Sequence, residues 1–79
     1  MATLPADEDY AKAMLTIFSA NGVRAGQSLK ALQVGREFEI RNLGRAADYE
    51  AALSYAADRG WLRLEFDRIR LTAAGVAET

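Results

Sequence analysis

The chain has 79 residues, of which 51% are hydrophobic, and its formal net charge is −1. That length suits one small domain spanning residues 1–79, and the hydrophobic fraction favours a packed core over disorder. The sequence contains neither cysteine nor histidine, which excludes disulfides, thiolate and imidazole chemistry and the common zinc sites. No signal peptide or membrane span is expected, so the cytoplasm is the expected compartment.

The first predicted helix spans Asp7 to Ala20. Acidic residues fill its first turn, where the helix dipole stabilises negative charge. Apolar side chains recur at helical spacing at Tyr10, Met14, Ile17 and Phe18. Asn21-Gly22 is a typical helix end. Residues 1–5 precede this helix and are expected to be flexible.

The segment 23–47 is harder to assign, because glycines interrupt any long periodicity. A short extended segment is expected near Gln27–Leu29. A second helix is expected from about Gln33 to Leu43, with Val34 and Phe38 on its inner side. Since a glycine inside a helix costs about 1 kcal/mol, a start after Gly35 is the alternative.

The third predicted helix begins after Asp48, which is a favourable N-cap, and stops at Gly60, where a left-handed residue is expected. Its inner stripe consists of small and aromatic residues: Tyr49, Ala52, Leu53, Ala56 and Ala57. The small residues also suit close approach of another helix. Tyr55 lies off this stripe and is expected to be exposed.

Residues 61–71 alternate as a β-hairpin does. Leu62, Leu64 and Phe66 face one side, whereas Trp61, Arg63 and Glu65 face the other. With Asp67-Arg68 as the turn, the expected cross-strand partners are Phe66 with Ile69, Leu64 with Leu71 and Glu65 with Arg70. A four-residue loop with the same register is the alternative.

Two features around the hairpin complete the predicted elements. Trp61 follows the helix-stopping glycine and is expected to cover the edge of the core rather than to serve as a surface anchor. Thr72 is expected to cap a brief final helix over Ala73 to Glu78.

This order of elements resembles the winged helix-turn-helix superfamily, and especially its bacterial regulators. The residues that carry the resemblance are Leu53, Tyr55-Ala56, Asp58-Arg59-Gly60-Trp61-Leu62 and Ile69-Arg70-Leu71-Thr72-Ala73-Ala74-Gly75. The implied fold is mainly α with a small β-hairpin: three helices, a two-stranded wing and a short C-terminal helix. The resemblance implies duplex-DNA binding, with the third helix in the major groove and the wing on the backbone. The contacting residues so implied are Arg41, Arg45, Ser54, Tyr55 and Arg68.

The charge pattern supports a second interpretation. Asp48, Glu50 and Asp58 would bring negative charge to the phosphates, although positive charge concentrates in residues 21–47. Protein–protein contact or homodimerisation through Tyr55 and the third helix is therefore the alternative function.

Catalysis is not expected. The sequence shows no phosphate-binding loop and no dinucleotide fingerprint, and its serines have no imidazole partner. The acidic residues at the start of the first helix are explained by the helix dipole. No cofactor and no metal site are predicted.

Overall fold

The computed structural model describes residues 7–78, which form four α-helices and one three-stranded antiparallel sheet. The helices are α1 (Asp7–Ala20), α2 (Ala31–Ile40), α3 (Ala46–Asp58) and α4 (Ala73–Ala77). The strands are β1 (Ser28–Lys30), β2 (Leu62–Leu64) and β3 (Arg68–Leu71), with β3 in the centre of the sheet. The prediction for residues 1–5 lies outside the described residues.

The core lies between the α1–α3 helix pair and the inner face of the sheet. Helix α1 keeps its predicted bounds and contributes five fully buried side chains: Ala11, Met14, Leu15, Ile17 and Phe18. Ala52 and Ala56 of α3 are also fully buried, and their small side chains let the two helices approach closely. No polar or charged residue among 7–78 is buried.

The three longer helices end in the same way. A residue with positive φ follows each helix: Gly22, Asn42 and Gly60, at +70°, +56° and +74°. The next amide then bonds back to a carbonyl five residues earlier, as Trp61 N–H does to Ala56 O at 2.9 Å. This is the Schellman arrangement, which satisfies carbonyls left free at the helix end. The stop predicted at Gly60 is confirmed.

Helix α2 differs from its prediction at both ends. It begins at Ala31, because the Ala31 N–H donates to the Asp67 carbonyl at 2.9 Å and this tertiary bond sets the start. It ends at Ile40 because Asn42 adopts the left-handed conformation. Gly35 lies inside the helix, so a start after it is wrong. Val34 and Phe38 are buried as predicted.

Helix α3 begins before the predicted N-cap. Arg45 occupies the N-cap position, and Asp48 is the third helical residue. The Asp48 carboxylate accepts the Arg45 backbone N–H at 2.9 Å, which is one half of a capping box. Asp48 therefore stabilises the helix start from inside the helix rather than from the cap.

The chain after Gly60 doubles back as paired strands, so the hairpin is confirmed. The sheet has three strands rather than two, because the extended segment β1 pairs with β3. The observed partners are Leu62 with Leu71, Arg63 with Arg70 and Leu64 with Ile69. The predicted register is therefore wrong by two residues, although the alternation of faces is kept.

The turn of the hairpin also differs from its prediction. It is centred on Phe66-Asp67, one residue earlier than expected, and Glu65 N–H donates to Arg68 O across it at 2.9 Å. The observed register brings Leu62 and Leu71 together in the core, whereas the predicted one would have placed Phe66 there.

The C-terminal helix is joined to the start of β2 by close packing. The Thr72 hydroxyl accepts the Gly75 N–H at 3.1 Å, which confirms the predicted cap. A Cβ on Gly75 would lie 2.2 Å from the carbonyl oxygen of Trp61, so only glycine fits there. Trp61 is 7% exposed and belongs to the core, as expected. None of the helices in residues 7–78 is long and apolar enough to cross a membrane.

Candidate nucleic-acid interface

Arg41 and Arg45 lie at the two ends of the loop between α2 and α3, and each has a local carboxylate partner. Arg41 Nη2 lies 3.1 Å from Glu37 Oε1, and Arg45 Nε lies 3.4 Å from Asp48 Oδ2. Hydrogen bonds from Gln33 and Asn21, together with Arg41, lower the pKa of Glu37 below its ordinary value. Both guanidinium groups are thus partly neutralised by neighbouring acids.

Ser54 lies on the exposed face of α3. The other exposed side chains along that face include Ala47, Glu50 and Asp58. The helix contains no lysine or arginine. A major groove lined by phosphates would therefore meet two carboxylates on this face and no cation, which disfavours insertion of α3.

Tyr55 is half-buried rather than exposed, so that prediction is wrong. Its ring packs edge-on against Trp61, with 5.7 Å between ring centroids. Its hydroxyl donates to Glu8 Oε1 at 3.2 Å and accepts from Arg59 Nε at 3.1 Å. The helical stripe did not reveal this because the partners come from α1 and from the residue that starts the hairpin. Tyr55 therefore joins α3 to α1 and to the residue that starts the hairpin.

Arg68 does not occupy the tip of the hairpin. It is the first residue of β3, where its Nε donates to Ser28 Oγ at 2.8 Å and its Nη2 donates to Ser28 O at 3.4 Å. The shift of the turn to Phe66-Asp67 moves Arg68 into the sheet. Its guanidinium consequently lies over β1.

The outer face of the sheet gathers basic residues from all three strands. Alternation directs Leu62, Ile69 and Leu71 inward to the core, where each is at most 3% exposed. The opposite face therefore carries the intervening side chains: Ser28, Lys30, Arg63, Arg68 and Arg70, with Glu65 just beyond β2. We call this set the basic sheet face.

Like charges stand opposite one another on this face. Arg63 pairs with Arg70 across β2 and β3, and Lys30 pairs with Arg68 across β1 and β3. Directly opposed like charges destabilise a sheet, by an amount on the order of 0.2–1 kcal/mol per pair. Two such pairs on one face are a cost to the fold that a bound anion would remove.

A single carboxylate offsets part of this charge. Glu65 bonds to Arg70 through both of its oxygens, at 2.8 and 3.0 Å. This hydrogen bond is the main reason that the pKa of Glu65 is lowered, and the charges of Arg70, Arg63 and Arg68 add to it. Four cations against one carboxylate leave the face with a charge of +3.

Two of the cations are available to a ligand without rearrangement. Lys30 and Arg63 are exposed, and neither side chain makes a hydrogen bond or an ion pair with any residue in 7–78. Arg68 and Arg70 are half-buried and already donate within the sheet. An incoming phosphate would therefore reach Lys30 and Arg63 first.

Three of the basic residues on this face were not among the predicted contacts. The sequence placed Arg63 outward but paired Arg70 with Glu65, which hid the cluster, and Lys30 was not assigned to a strand. The sequence feature that could have revealed this face was the short extended segment before α2. Had its alternation been extended to Lys30 and joined to the hairpin, the three basic strands would have been apparent.

No group of three or more metal-ligating side chains occurs among the described residues. Comparisons with models of protein families, with characterised proteins and with solved structures found no match to this chain. The basic sheet face is therefore the feature from which a function can be argued.

Proposed function

We propose that this chain is a small, non-catalytic winged-helix domain that binds nucleic acid, including duplex DNA, through the phosphate backbone. The order of three helices followed by a hairpin supports the winged-helix assignment. The observation that carries the binding function is the opposition of Arg63 to Arg70 and of Lys30 to Arg68 on one sheet face. In this arrangement the sheet, rather than α3, is the main contact surface.

Phosphate neutralisation explains why the sheet is favoured. Contacts to phosphate supply most of the sequence-independent affinity of such proteins, and they need clustered cations more than they need a groove-filling helix. The basic sheet face has a charge of +3, whereas the exposed face of α3 presents Glu50 and Asp58. The domain would therefore approach the backbone with its sheet and hold α3 away from it.

Fluorescence anisotropy with random duplex DNA tests this function when it is repeated at about 50 and 200 mM salt. Two double variants remove the same charge from different places. Lys30→Gln/Arg63→Gln depletes the basic sheet face, and Arg41→Gln/Arg45→Gln depletes the loop before α3. We expect salt-sensitive binding whose affinity and salt slope the first variant strongly reduces and the second retains.

Two results would count against this assignment. Absence of salt-sensitive binding at tens of micromolar protein would exclude nucleic acid as the ligand. Loss of binding in Arg41→Gln/Arg45→Gln alone would move the interface back to the helices. Thermal melts of both variants establish that each remains folded.

A second candidate function, contact with another protein or a second copy, is favoured by two exposed apolar residues. Leu32 is 78% exposed and Ile40 is 73% exposed, two turns apart on α2. Tyr55, the contact predicted for this function, is held by Glu8 and Arg59, which makes α2 the better surface. Sedimentation over a range of concentrations should then show a dimer that Leu32→Gln/Ile40→Gln disrupts; a monomer throughout excludes homodimerisation.

A further inference from the structure

Phe66 is the most exposed large apolar residue in the described part of the chain. Its relative exposure is 104%, and it occupies the turn between β2 and β3. Phe66 lies beyond Leu64, the last residue of β2, so the alternation of that strand does not place it on the core face. A phenylalanine in water gives up the free energy that burial would supply, so its position at the turn calls for an explanation outside the monomer's own core.

The turn that carries Phe66 is held in place on both sides. Glu65 N–H bonds to Arg68 O at 2.9 Å, which closes the turn, and Asp67 O accepts from Ala31 N–H at 2.9 Å. The Glu65–Arg70 ion pair ties the end of β2 to β3. Phe66 is thus presented from a fixed backbone, so little ordering would be needed when it contacts a ligand.

The turn that carries Phe66 adjoins the end of the basic sheet face, because Asp67 O accepts the N–H of Ala31, the residue after Lys30. Arg68 lies two residues away on β3, and its cross-strand partner is Lys30. An exposed aromatic ring beside a row of cations is the combination that binds single-stranded nucleic acid, since the ring stacks on a base while the cations follow the phosphates. Replacing such a ring by alanine typically weakens binding by about 5- to 150-fold.

Resting on the proposed function above, we infer that single-stranded nucleic acid is the preferred ligand of the basic sheet face and that Phe66 stacks on an unpaired base. The carboxylates of Glu65 and Asp67 flank Phe66 in the sequence. Negative charge at the tip opposes its entry into the minor groove of a duplex, where the potential is most negative. A base that is free of its partner stacks on the ring without bringing its phosphates against these carboxylates.

The test compares a single strand of about 12 nucleotides with the corresponding duplex, each carrying 2-aminopurine, a base whose fluorescence falls on stacking. Phe66→Ala removes the ring, Phe66→Trp retains it, and Val76→Ala is a control that trims another exposed apolar side chain, 41% exposed, on α4. We expect the single strand to bind more tightly than the duplex and its fluorescence to be quenched. Phe66→Ala should lose quenching and at least about 5-fold in affinity with an unchanged salt slope, whereas Phe66→Trp and Val76→Ala should retain both quenching and affinity.

The outcomes separate this inference from the function on which it rests. Binding of both nucleic acids that depends on Lys30 and Arg63 but not on Phe66 overturns the inference and leaves the proposed function standing. Absence of salt-sensitive binding to either nucleic acid overturns both. Binding to anionic lipid vesicles that Phe66→Ala abolishes, together with no base quenching, also overturns the inference, because the residue would then insert into a lipid surface.

Discussion

Replacing Lys30 and Arg63 by glutamine removes the two cations of the basic sheet face that make no hydrogen bond or ion pair with any described residue. Neither substitution deletes a hydrogen bond or an ion pair among residues 7–78, so the change is mainly one of charge. Because Arg63 opposes Arg70 and Lys30 opposes Arg68, the free protein should become slightly more stable. The affinity for nucleic acid should fall at the same time.

The expected salt dependence of the affinity for nucleic acid follows from the charge of the basic sheet face. With Glu65 offsetting Arg70, three cations are effective against phosphate. Three phosphate contacts give a salt slope of about −2.7 on duplex DNA, so raising the salt from about 50 to 200 mM should weaken binding about 40-fold. The double variant retains one effective cation, for which the slope is about −0.9 and the loss about 3.5-fold.

The assay is fluorescence anisotropy of labelled duplex DNA across that salt range. Arg41→Gln/Arg45→Gln is the matched control, since it also removes two positive charges but from side chains that are paired with Glu37 and Asp48. Its slope should stay close to that of the unmodified protein. Equal slopes in Lys30→Gln/Arg63→Gln and in the unmodified protein would refute the assignment of phosphate contacts to the sheet.

Three further outcomes are expected. Glu65→Gln should release Arg70 to the phosphates of a nucleic acid, so binding should tighten and the salt slope should steepen by about 1. Weaker binding of this variant would contradict the prediction. Gly60→Ala should lower the free energy of unfolding by about 1–2 kcal/mol from backbone conformation alone, because an added Cβ there meets no atom within 4 Å. Gly75→Ala should lower the thermal midpoint further, because its Cβ would clash with the Trp61 carbonyl. Equal losses of the two variants in circular-dichroism melts would rule out that clash. The thermal midpoint of the unmodified protein should be flat near neutral pH and fall as the pH drops below about 4. Carboxylates whose folded pKa is lowered stabilise the fold above their unfolded pKa, and this stabilisation is lost as they protonate. A midpoint that rises on acidification would exclude this account. These carboxylates are Glu37, Asp48 and Glu65.

The elements that sequence reasoning located accurately are those stabilised by nearby residues. Helix α1 has its predicted bounds because its acidic first turn, its apolar stripe and its glycine stop all lie within the same segment. The cap at Thr72 and the stop at Gly60 are local in the same sense. Interactions within four or five residues of the chain can be inferred from residue types alone.

The register of the hairpin could not be inferred from local residue types. A shift of two residues leaves the paired apolar residues Leu62, Leu64, Ile69 and Leu71 on their original face, so the alternation of residues 61–71 fits both registers equally well. The observed register is favoured by a contact from elsewhere in the chain, the bond from Ala31 N–H to the Asp67 carbonyl. For the same reason the sequence did not anticipate that Phe66 would be left in solvent.

From its sequence alone, the order of helices followed by a hairpin in this chain can be recognised, because periodicity and turn residues act locally. The basic sheet face exists only in the tertiary structure. Its cations come from segments up to 40 residues apart, as the contact of Arg68 with Ser28 shows, and their charges cancel in the net charge of −1. Strand pairing brings these cations together on one side of β3 and leaves the carboxylates of α3 exposed on another surface, which no count of charges along the chain can reveal.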